Sequence, residues 1–511
     1  MSESVIDQVA GSPPAAGGRI TLFRLDGVET LELRELHAQA GRLARSLQDL
    51  GVARGDRVGI FAGNSLEWVL LDLAALRLGA MTVGFDPGKF DAAGGLHDRY
   101  RLRLLFADRH VDALGARPMA DVRRLVQLAK PGEEPSAVTY APDDATTLKL
   151  TSGSTGVPKT MTASVGSIDS SLRAVQAMFA HGPGDDLFVF LPLSLVQQRY
   201  WIYSALRFGH DVTVCTYEAA FPAMGRTRPT VVMGVPAFFE TARRHIEAQA
   251  ARAGSPAEPP EATAAAAGQL FGDRIRYLWT GSAPAGAETL RFFNGAGLPI
   301  YEGYGLNETC IVSKNHPGAC REGSVGQVLP GKQVLLDADG VVSVRSDHPV
   351  CRGYEHAPPG ESERVFGPDG VVRTGDLGHV DEDGFLFIRG RADDVIVLGN
   401  GRKIIVRPIE ELMKASPAIE ECVLFCPTQT HLVAVVSPSR QPADEDAIAA
   451  QLALTNASVA HDEQILRVVV ARDRFSIENE LLTSQYKPRR RRILEAYEAE
   501  IRDSRGGILA H

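Results

Sequence analysis

The stretch LTSGSTGVPKT, from Leu150 to Thr160, alternates glycine with hydroxyl-bearing residues and contains a lysine, Lys159, just before its last residue. Loops of this composition bind phosphate, because backbone N–H groups, hydroxyls and an ammonium group all attract an anion. The spacing comes near the phosphate loop of nucleotide hydrolases, in which a glycine is followed by four residues and then Gly-Lys. Pro158 stands where the second glycine belongs and removes a backbone donor. The stretch therefore predicts a phosphate-binding loop of a different class.

Apolar runs and helical patterns alternate on both sides of this loop. Before it, LRELHAQAGRLARSLQDLG places Leu36, Ala40, Leu43 and Leu47 on one helical face, and DRVGIFAGN then reads as a buried strand. After it, the strand-like runs are DLFVFLPL, HDVTVCT, TVVMGVP and RIRYLWTG. Such alternation is typical of α/β layers with mostly parallel, buried strands.

Three stretches depart from that pattern. Residues 1–18 carry acidic side chains and no apolar run, so they predict a disordered lead-in rather than a signal peptide. Ala248–Gly268 is rich in alanine, proline and glutamate and predicts a flexible surface excursion. From Asp394 onward, helices and strands mix over a length that fits a small α+β domain.

Composition narrows the functional class. The 511 residues are 44% apolar and 23% charged, as in ordinary globular proteins, and the net charge of −9 argues against a general nucleic-acid binder. The most apolar stretch, WVLLDLAALRLGAMTVGF, is interrupted by Asp72 and Arg77, so it predicts a core helix running into a strand and no membrane span. Six cysteines without a Cys-x-x-Cys pair predict buried apolar side chains in a cytoplasmic protein.

Three further motifs follow the loop in order along the chain. They are YEGYGLNET (Tyr301–Thr309), TGDLGHVDEDGFLFIRGRADDVIVLGNGRKIIVRPIEE (Thr374–Glu411) and FSIENELLTSQYKPRRRR (Phe475–Arg492). Together with the loop they resemble the adenylate-forming superfamily, which includes acyl-CoA synthetases, carrier-protein ligases, peptide-synthetase adenylation domains and luciferases. The likeness spans about Ile20 to Ile501 and is greatest to the long-chain acyl-CoA synthetase branch.

The resemblance implies a nucleotide site assembled from these motifs. For the β- and γ-phosphates it implies Thr151, Ser152, Gly153, Ser154, Thr155, Gly156 and Lys159. For the adenine slot it implies Gly281, Ser282, Ala283, Pro284, Glu302, Gly303 and Tyr304. Asp376 and Arg391 match the ribose-binding residues, and Glu308 matches the Mg²⁺ ligand, a hard oxygen donor for a hard cation.

Lys487 matches the catalytic lysine of the family, which bridges the carboxylate and the phosphate as charge moves between them. The four arginines that follow at 489–492 are interpreted as surface residues. Asp393 matches the hinge about which the family's C-terminal domain swings after adenylation. The resemblance therefore implies an N-terminal ATP- and acid-binding domain over residues 19–392 and a mobile C-terminal domain over 393–511.

Several positions depart from the family pattern. Thr160 replaces a glycine, and Asn307 replaces the threonine that touches the α-phosphate, although an asparagine amide still donates a hydrogen bond. Leu195 stands where the long-chain branch has the histidine that gates the carboxylate and thiol channel. The substrate pocket is expected at Leu195, Gln197, Tyr200 and Gly305, while Gln197 and Gln198 are interpreted either as pocket groups or as solvent-facing ones. These departures suggest a specialised enzyme of secondary metabolism.

Three functions remain open from the sequence. The first is a ligase that uses ATP, Mg²⁺ and CoA to convert a small-molecule acid into a thioester. The second keeps ATP activation but uses another acceptor or nucleophile, namely a carrier protein, an amine, or nitrite as in the diazotases. The third is a nucleotide-binding regulatory or scaffold protein without enzymatic activity. A monomer or a homodimer is expected for each of the three. A nicotinamide dehydrogenase is excluded, because no Gly-x-Gly-x-x-Gly follows a strand.

Overall fold

The structure, a computed structural model, describes residues 4–14, 17–87, 90, 95–151, 159–252, 259–283, 285–483, 487–503 and 507–509. These residues divide into two compact units. The first comprises residues 1–335, 343–373 and 382–386, and the second comprises residues 336–342, 374–381 and 387–511. The boundary between the two units runs through a group of four consecutive strands.

The first unit contains most of the regular elements. Its helices are α1 (Val5–Gly11), α2 (Leu33–Asp49), α3 (Leu66–Leu78), α4 (Leu96–Tyr100), α5 (Asp121–Leu128), α6 (Val165–Phe179), α7 (Val196–Phe208), α8 (Ala220–Thr227), α9 (Pro236–Arg252), α10 (Pro259–Phe271), α11 (Ala287–Gly295) and α12 (Glu361–Val365). Its strands are β1 (Arg19–Arg24), β2 (Gly27–Glu32), β3 (Arg57–Phe61), β4 (Met81–Phe85), β5 (Leu102–Ala107), β6 (Arg117–Pro118), β7 (Ala145–Thr151), β8 (Lys159–Ser164), β9 (Asp186–Val189), β10 (Asp211–Val214), β11 (Val231–Gly234), β12 (Tyr277–Thr280), β13 (Ile300–Leu306), β14 (Cys310–Lys314) and β15 (Gln327–Val328).

The described strands of the first unit form two sheets. One has the order β6-β5-β3-β4-β7-β8 and is parallel except for the β7–β8 pair. The other has the order β15-β14-β13-β12-β11-β9-β10-β1-β2, and its central pairs are parallel while both ends are antiparallel. Parallel strands buried on both faces explain why these runs are continuously apolar in the sequence.

Strand β9 shows how the second of these sheets separates two cores. Leu187 and Val189 lie in a core shared with helices α2, α3, α6 and α7, whereas Phe188 lies in a core with helices α8 to α11. Alternate residues of a strand point to opposite faces, so one strand serves both cores. The prediction of a multi-layer α/β domain with mostly parallel sheets is confirmed.

Four strands lie at the boundary between the two units: β16 (Lys332–Leu336), β17 (Val341–Ser346), β18 (Val371–Val380) and β19 (Leu386–Arg391). The second unit continues with β20 (Val395–Val397), β21 (Lys403–Ile405), α13 (Val406–Met413), β22 (Ile419–Phe425), β23 (Leu432–Pro438), α14 (Glu445–Ser458), β24 (Ile465–Val470), α15 (Arg490–Ala496), α16 (Glu498–Arg502) and β25 (Ile508–Leu509). Its sheet has the order β22-β23-β24-β25 with mixed pairing. Helices α13 and α14 cover one face and helices α15 and α16 the other, which confirms a smaller α+β domain.

Two predictions about irregular segments are wrong. The lead-in contains helix α1, which Ser4 caps and which buries Val5, Ile6 and Val9, so residues 4–11 are ordered by packing. Of the stretch Ala248–Gly268, residues 248–252 belong to helix α9 and residues 259–268 to helix α10, where Ala266 and Ala267 lie in the core, while residues 253–258 lie outside the described residues. Alanine forms helices well and packs closely, so a composition typical of linkers here builds a buried helix face.

Among the described residues, no helix combines the length and the apolar character needed to cross a membrane. The interrupted apolar stretch forms helix α3 and strand β4, as the sequence predicts. Cys215, Cys310 and Cys422 are buried, but Cys320 is exposed, so the expectation of burial is wrong for that cysteine.

Candidate functional site

The phosphate-binding stretch connects two strands of the six-stranded sheet. Strands β7 and β8 pair antiparallel, and the last pair joins Thr151 to Lys159. The predicted phosphate ligands Ser152, Gly153, Ser154, Thr155 and Gly156 lie outside the described residues. Thr151 and Lys159 thus mark the two ends of the predicted loop.

Lys159 is held by a segment that follows strand β17. Its ammonium group forms an ion pair with Glu361 and lies 5.1 Å from the centre of the Tyr354 ring. Thr160, the departure from the family's glycine, is buried, and its hydroxyl lies 2.9 Å from Nδ1 of His356. The threonine side chain therefore anchors the same segment that contacts Lys159.

The predicted Mg²⁺ ligand Glu308 lies in the turn between strands β13 and β14, beside Asn307. The Tyr354 hydroxyl donates a 2.7 Å hydrogen bond to Oε1 of Glu308. Burial and the Glu308 carboxylate raise the pKa of Tyr354, which keeps the phenol protonated as a donor. Within the described residues, Oε2 of Glu308 has no hydrogen-bond partner. A carboxylate oxygen suits a Mg²⁺ ion, which prefers one or two carboxylates together with phosphate oxygens.

A buried lysine supports the same turn from the other side. Lys149 on strand β7 donates a 2.6 Å hydrogen bond to the carbonyl oxygen of Asn307. The Thr309 hydroxyl accepts a hydrogen bond from the backbone N–H of Leu306 at 2.9 Å and closes the turn. The strand that precedes the phosphate loop is thereby tied to the Asn307–Glu308 turn.

The segments predicted for the adenine slot are brought together. Oε1 of Glu302 accepts a 3.0 Å hydrogen bond from the backbone N–H of Ala285, which follows the predicted adenine-slot residues 281–284. Ser282 has a positive φ of 69°, an unusual conformation for a residue other than glycine. The predicted adenine residues Gly281, Ala283, Gly303 and Tyr304 lie on the same two segments, and Pro284 lies outside the described residues.

The four residues predicted for the substrate pocket occupy helix α7 and strand β13. Leu195 precedes α7 and Gln197 lies half-buried in its first turn. The Tyr200 hydroxyl lies 3.3 Å from Sγ of Cys310, so α7 packs against strand β14. A Cβ atom at Gly305 would lie 1.9 Å from the carbonyl oxygen of Cys310, which only glycine avoids.

Gln198 resolves one alternative left open by the sequence. It is buried, and its Oε1 atom accepts no hydrogen bond from the described part of the chain. The interpretation that it faces solvent is therefore wrong. A buried amide oxygen without a partner is costly, and such groups often mark a binding site.

The second unit contains the predicted ribose residues. Nη1 of Arg391 lies 3.1 Å from Oδ1 of Asp376 and donates a 2.8 Å hydrogen bond to the carbonyl oxygen of Thr374. Asp376 is buried, while Asp393, the predicted hinge, is largely exposed and lies 3.6 Å from Arg391. The Asp376 carboxylate is thus pre-oriented by a cation that belongs to the same predicted site.

Lys487 belongs to the same electrostatic neighbourhood. Burial, followed by the Arg407 guanidinium, lowers its pKa, and the Asp376 carboxylate opposes that effect. Its backbone N–H donates a 3.1 Å hydrogen bond to the Thr483 hydroxyl, and its carbonyl oxygen accepts one from the Thr483 N–H at 2.8 Å. The lysine is therefore fixed at its backbone, whereas its side chain lies among the groups predicted to bind nucleotide.

The arginine run after Lys487 is not all surface. Arg490 is paired with Glu410 and lies 3.3 Å from Asp394. Its guanidinium also donates to the carbonyl oxygen of Leu424 at 3.1 Å. The surface interpretation is wrong for Arg490, because this residue joins helix α15 to helix α13 within the second unit.

Sequence reasoning missed four candidate residues that contact or influence the predicted ones: Lys149, Tyr354, Glu361 and Arg407. Each of these residues is remote in sequence from the predicted residue that it contacts or influences. Only the folded structure therefore identifies them. Arg407 alone lies in a recognised motif, and its buried Nε atom has no hydrogen-bond partner among the described residues.

Comparison with known proteins matches the chain to one family. The model of the AMP-binding enzyme family matches residues 15–349, and the model of the AMP-binding enzyme C-terminal domain matches residues 393–505. The long-chain-fatty-acid–CoA ligase FadD15 of Mycobacterium tuberculosis is 28% identical over 93% of this chain and 92% of its own length. The putative fatty-acid–CoA ligase fadD11 of the same species is 28% identical over 71% of this chain and 74% of its own.

Solved structures share the fold. ATP-bound MatB from Rhodopseudomonas palustris superposes with a TM-score of 0.79 at 23% identity, over 98% of this chain and all of that one. The o-succinylbenzoate CoA synthetase MenE from Bacillus subtilis, in complex with its acyl-adenylate, has a TM-score of 0.76 at 20% identity over 99% of both chains. Both likenesses concern the fold of the whole chain.

Proposed function

Since the chain belongs to the AMP-binding enzymes, which are ATP-dependent, AMP-forming ligases, we propose that it activates a carboxylic acid and transfers the acyl group to CoA. The observation that carries the proposal is the placement of Lys487 in the electrostatic neighbourhood of Asp376 and Arg391. A lysine beside the ribose-binding pair is what adenylation requires, because charge moves from the carboxylate to the α-phosphate.

The reaction has two steps. In the first, a carboxylate oxygen of the acid attacks the α-phosphorus of ATP, and the bond to the β-phosphate oxygen breaks to release pyrophosphate. In the second, the CoA thiol loses its proton and attacks the acyl carbon, and AMP leaves. Both steps bring anions together, so positioning and charge neutralisation account for most of the acceleration.

The residues divide this work by chemistry. Lys159 would hold the departing phosphates as a point charge, and Glu308 would hold a Mg²⁺ ion, which neutralises phosphate charge when bound. Asp376 accepts hydrogen bonds from the ribose hydroxyls, with Arg391 keeping the carboxylate in place. Lys487 donates to the oxygens shared between the acid and the α-phosphate.

Two observations favour a fatty acid or another apolar acid as the substrate, and one of them also favours CoA as the acceptor. The fatty-acid–CoA ligases that this chain resembles favour both. Leu195 is an apolar residue immediately before helix α7, at the position where the resemblance implies a histidine. A carrier protein remains the alternative acceptor, since one structural neighbour is the A-PCP didomain of a carboxylic acid reductase.

The test is pyrophosphate release from Mg-ATP with a panel of fatty, aryl and amino-aryl acids, each with and without CoA. A further arm contains nitrite and an aromatic amine. We expect one acid class to drive release and CoA to raise turnover. Release in the nitrite arm alone would overturn the thioester proposal, and acid-driven release without any effect of CoA would point to another acceptor.

A further inference from the structure

Residues 354–364, named here the strap segment, contact both residues predicted to bind the charged end of ATP. Tyr354 donates to Glu308, and Glu361 pairs with Lys159. Tyr354 and Glu361 are linked locally, because the Tyr354 N–H donates a 2.9 Å hydrogen bond to the hydroxyl of Ser362. A single short segment therefore controls a predicted metal ligand and a predicted phosphate ligand.

The strap segment is hydrogen-bonded to strands β8 and β3. The backbone N–H of Glu355 donates to the carbonyl oxygen of Thr160 at 2.8 Å, and the Thr160 hydroxyl contacts His356. Arg57 donates to both carboxylate oxygens of Glu355 at 2.8 Å. These contacts hold the backbone of the segment in place while the side chains of Tyr354 and Glu361 reach the site.

The ammonium group of Lys159, which is proposed to bind the phosphates, already forms an ion pair with Glu361. The two side chains are only 14% and 8% exposed, so water screens the pair poorly and the attraction is substantial. The phosphates therefore compete with Glu361 for Lys159. Arg364 lies 3.8 Å from the same Glu361 oxygen, so Glu361 keeps a cation nearby when Lys159 turns away.

We propose that Tyr354 is a positioning residue for Glu308, and that Glu361 is the resting partner of Lys159 which the phosphates of Mg-ATP displace. The proposal rests on the proposed function, because it takes Glu308 as the metal ligand and Lys159 as the phosphate ligand. It concerns nucleotide binding only, and is independent of the acid and the acceptor.

The two contacts have opposite effects on binding. The Tyr354 hydroxyl orients Glu308 through one of its two carboxylate oxygens, so it favours the metal-bound state. Glu361 competes with the phosphates for Lys159, so it opposes nucleotide binding until it is displaced. A segment with a merely structural role would weaken binding in both cases when its contacts are removed.

The experiment measures binding of a non-hydrolysable ATP analogue by calorimetry at several Mg²⁺ concentrations, with no acid present. Tyr354→Phe keeps the ring against Lys159 and Phe366 but removes the hydroxyl. We expect the half-saturating Mg²⁺ concentration to rise about tenfold, as the loss of a hydrogen bond to a charged group implies, with metal-free binding unchanged. Tyr140→Phe, which removes a buried hydroxyl bonded to the Leu76 carbonyl, is the matched control.

For Glu361→Gln, which keeps the shape of the side chain but removes its charge, we expect about threefold to tenfold tighter binding at every Mg²⁺ concentration. Glu355→Gln is the matched control, because it weakens an ion pair on the same segment without touching Lys159. Weaker binding by Glu361→Gln, or an unchanged Mg²⁺ dependence in Tyr354→Phe, would overturn the proposal. If the unaltered protein binds the analogue but no acid drives pyrophosphate release, the proposed function fails and these comparisons still stand; if it binds none, both proposals fail.

Discussion

At the scale of single residues, the site depends on side chains whose charge is set by their neighbours. Lys487 lies where burial and Arg407 lower its pKa and Asp376 opposes that shift. Glu308, the predicted metal ligand, accepts a hydrogen bond from the Tyr354 hydroxyl at one carboxylate oxygen. In both cases the residue type is visible in the sequence, while the partner that prepares it is supplied by another segment.

Lys487→Ala removes the cation expected to stabilise the transition state of adenylation. Loss of one such donor costs about 100-fold to 1,000-fold in turnover. We expect acid-dependent pyrophosphate release to fall by that factor while nucleotide binding changes little. Arg491→Ala is the control, because Arg491 is an exposed cation of the same run, and an equal loss in both variants would contradict a catalytic role for Lys487.

At the scale of elements, helices α3 and α7 are joined by a buried ion pair. Nη1 of Arg199 lies 2.7 Å from Oδ1 of Asp72, and the Thr82 hydroxyl donates to the same oxygen at 2.8 Å. Arg199 also lies 5.1 Å from the ring of Trp68. Asp72, one of the two charged residues that interrupt the apolar run in the sequence, is thus paired with Arg199 inside the first unit.

Arg199→Met leaves Asp72 buried without its cation. Removing one partner of a buried pair destabilises a protein by about 3–5 kcal/mol. We therefore expect a clear drop in the thermal unfolding temperature, measured by circular dichroism. The double variant with Asp72→Asn should recover part of the loss, because it removes the uncompensated charge; a double variant less stable than Arg199→Met would argue against this explanation.

Helix α1 is the second element whose contribution can be measured. Ile6 is fully buried, and its N–H and that of Val5 each donate a 3.1 Å hydrogen bond to the Asp169 carboxylate. Complete burial of such a side chain contributes roughly 1.5–3 kcal/mol. Ile6→Asp should lower the unfolding temperature, whereas Ser12→Asp, at an exposed position just after the helix, should not. Equal stability of the two variants would restore the idea of a disordered lead-in.

At the scale of the whole molecule, the first unit contains buried histidines that remain neutral. Burial, followed by the neighbouring His210, lowers the pKa of His181 to about 3. Burial likewise lowers the pKa of His37 to about 4. The unfolded chain binds protons at these positions near the ordinary histidine pKa of about 6.5, so the unfolded state gains protons first as the pH falls.

Stability should therefore decrease as the pH is lowered from about 7.5 towards 5. For His181 alone the linkage amounts to about 2 kcal/mol at about pH 5. The measurement is the midpoint of urea unfolding across this pH range. His181→Gln should flatten the dependence, while His245→Gln, which alters an exposed histidine on helix α9, should leave it unchanged. His37 should still contribute in that variant; a pH dependence as steep in His181→Gln as in the unaltered protein would contradict the role of His181.

Much of the architecture was predictable because strands and helices carry local patterns. The apolar runs around β9 to β12 and the face of α2 follow periods of two and 3.6 residues. Apart from the exposed Cys320 and the buried Gln198, the predictions that were wrong concern α1, α10 and Arg490, where local composition resembles a linker or a surface. Their burial depends on distant partners such as Asp169 and Glu410, which no local pattern contains.

The sequence by itself determined the family, the order of its motifs and the residue types that carry the chemistry, because each motif is contiguous and its spacing follows from the backbone geometry it adopts. Only the tertiary structure decided which groups prepare those residues. Tyr354 reaches Glu308 across 46 positions and Glu361 reaches Lys159 from a separate element, because packing onto strand β8 brings these segments together. Charge pairing acts through space, so the partners of a catalytic residue are set by the fold.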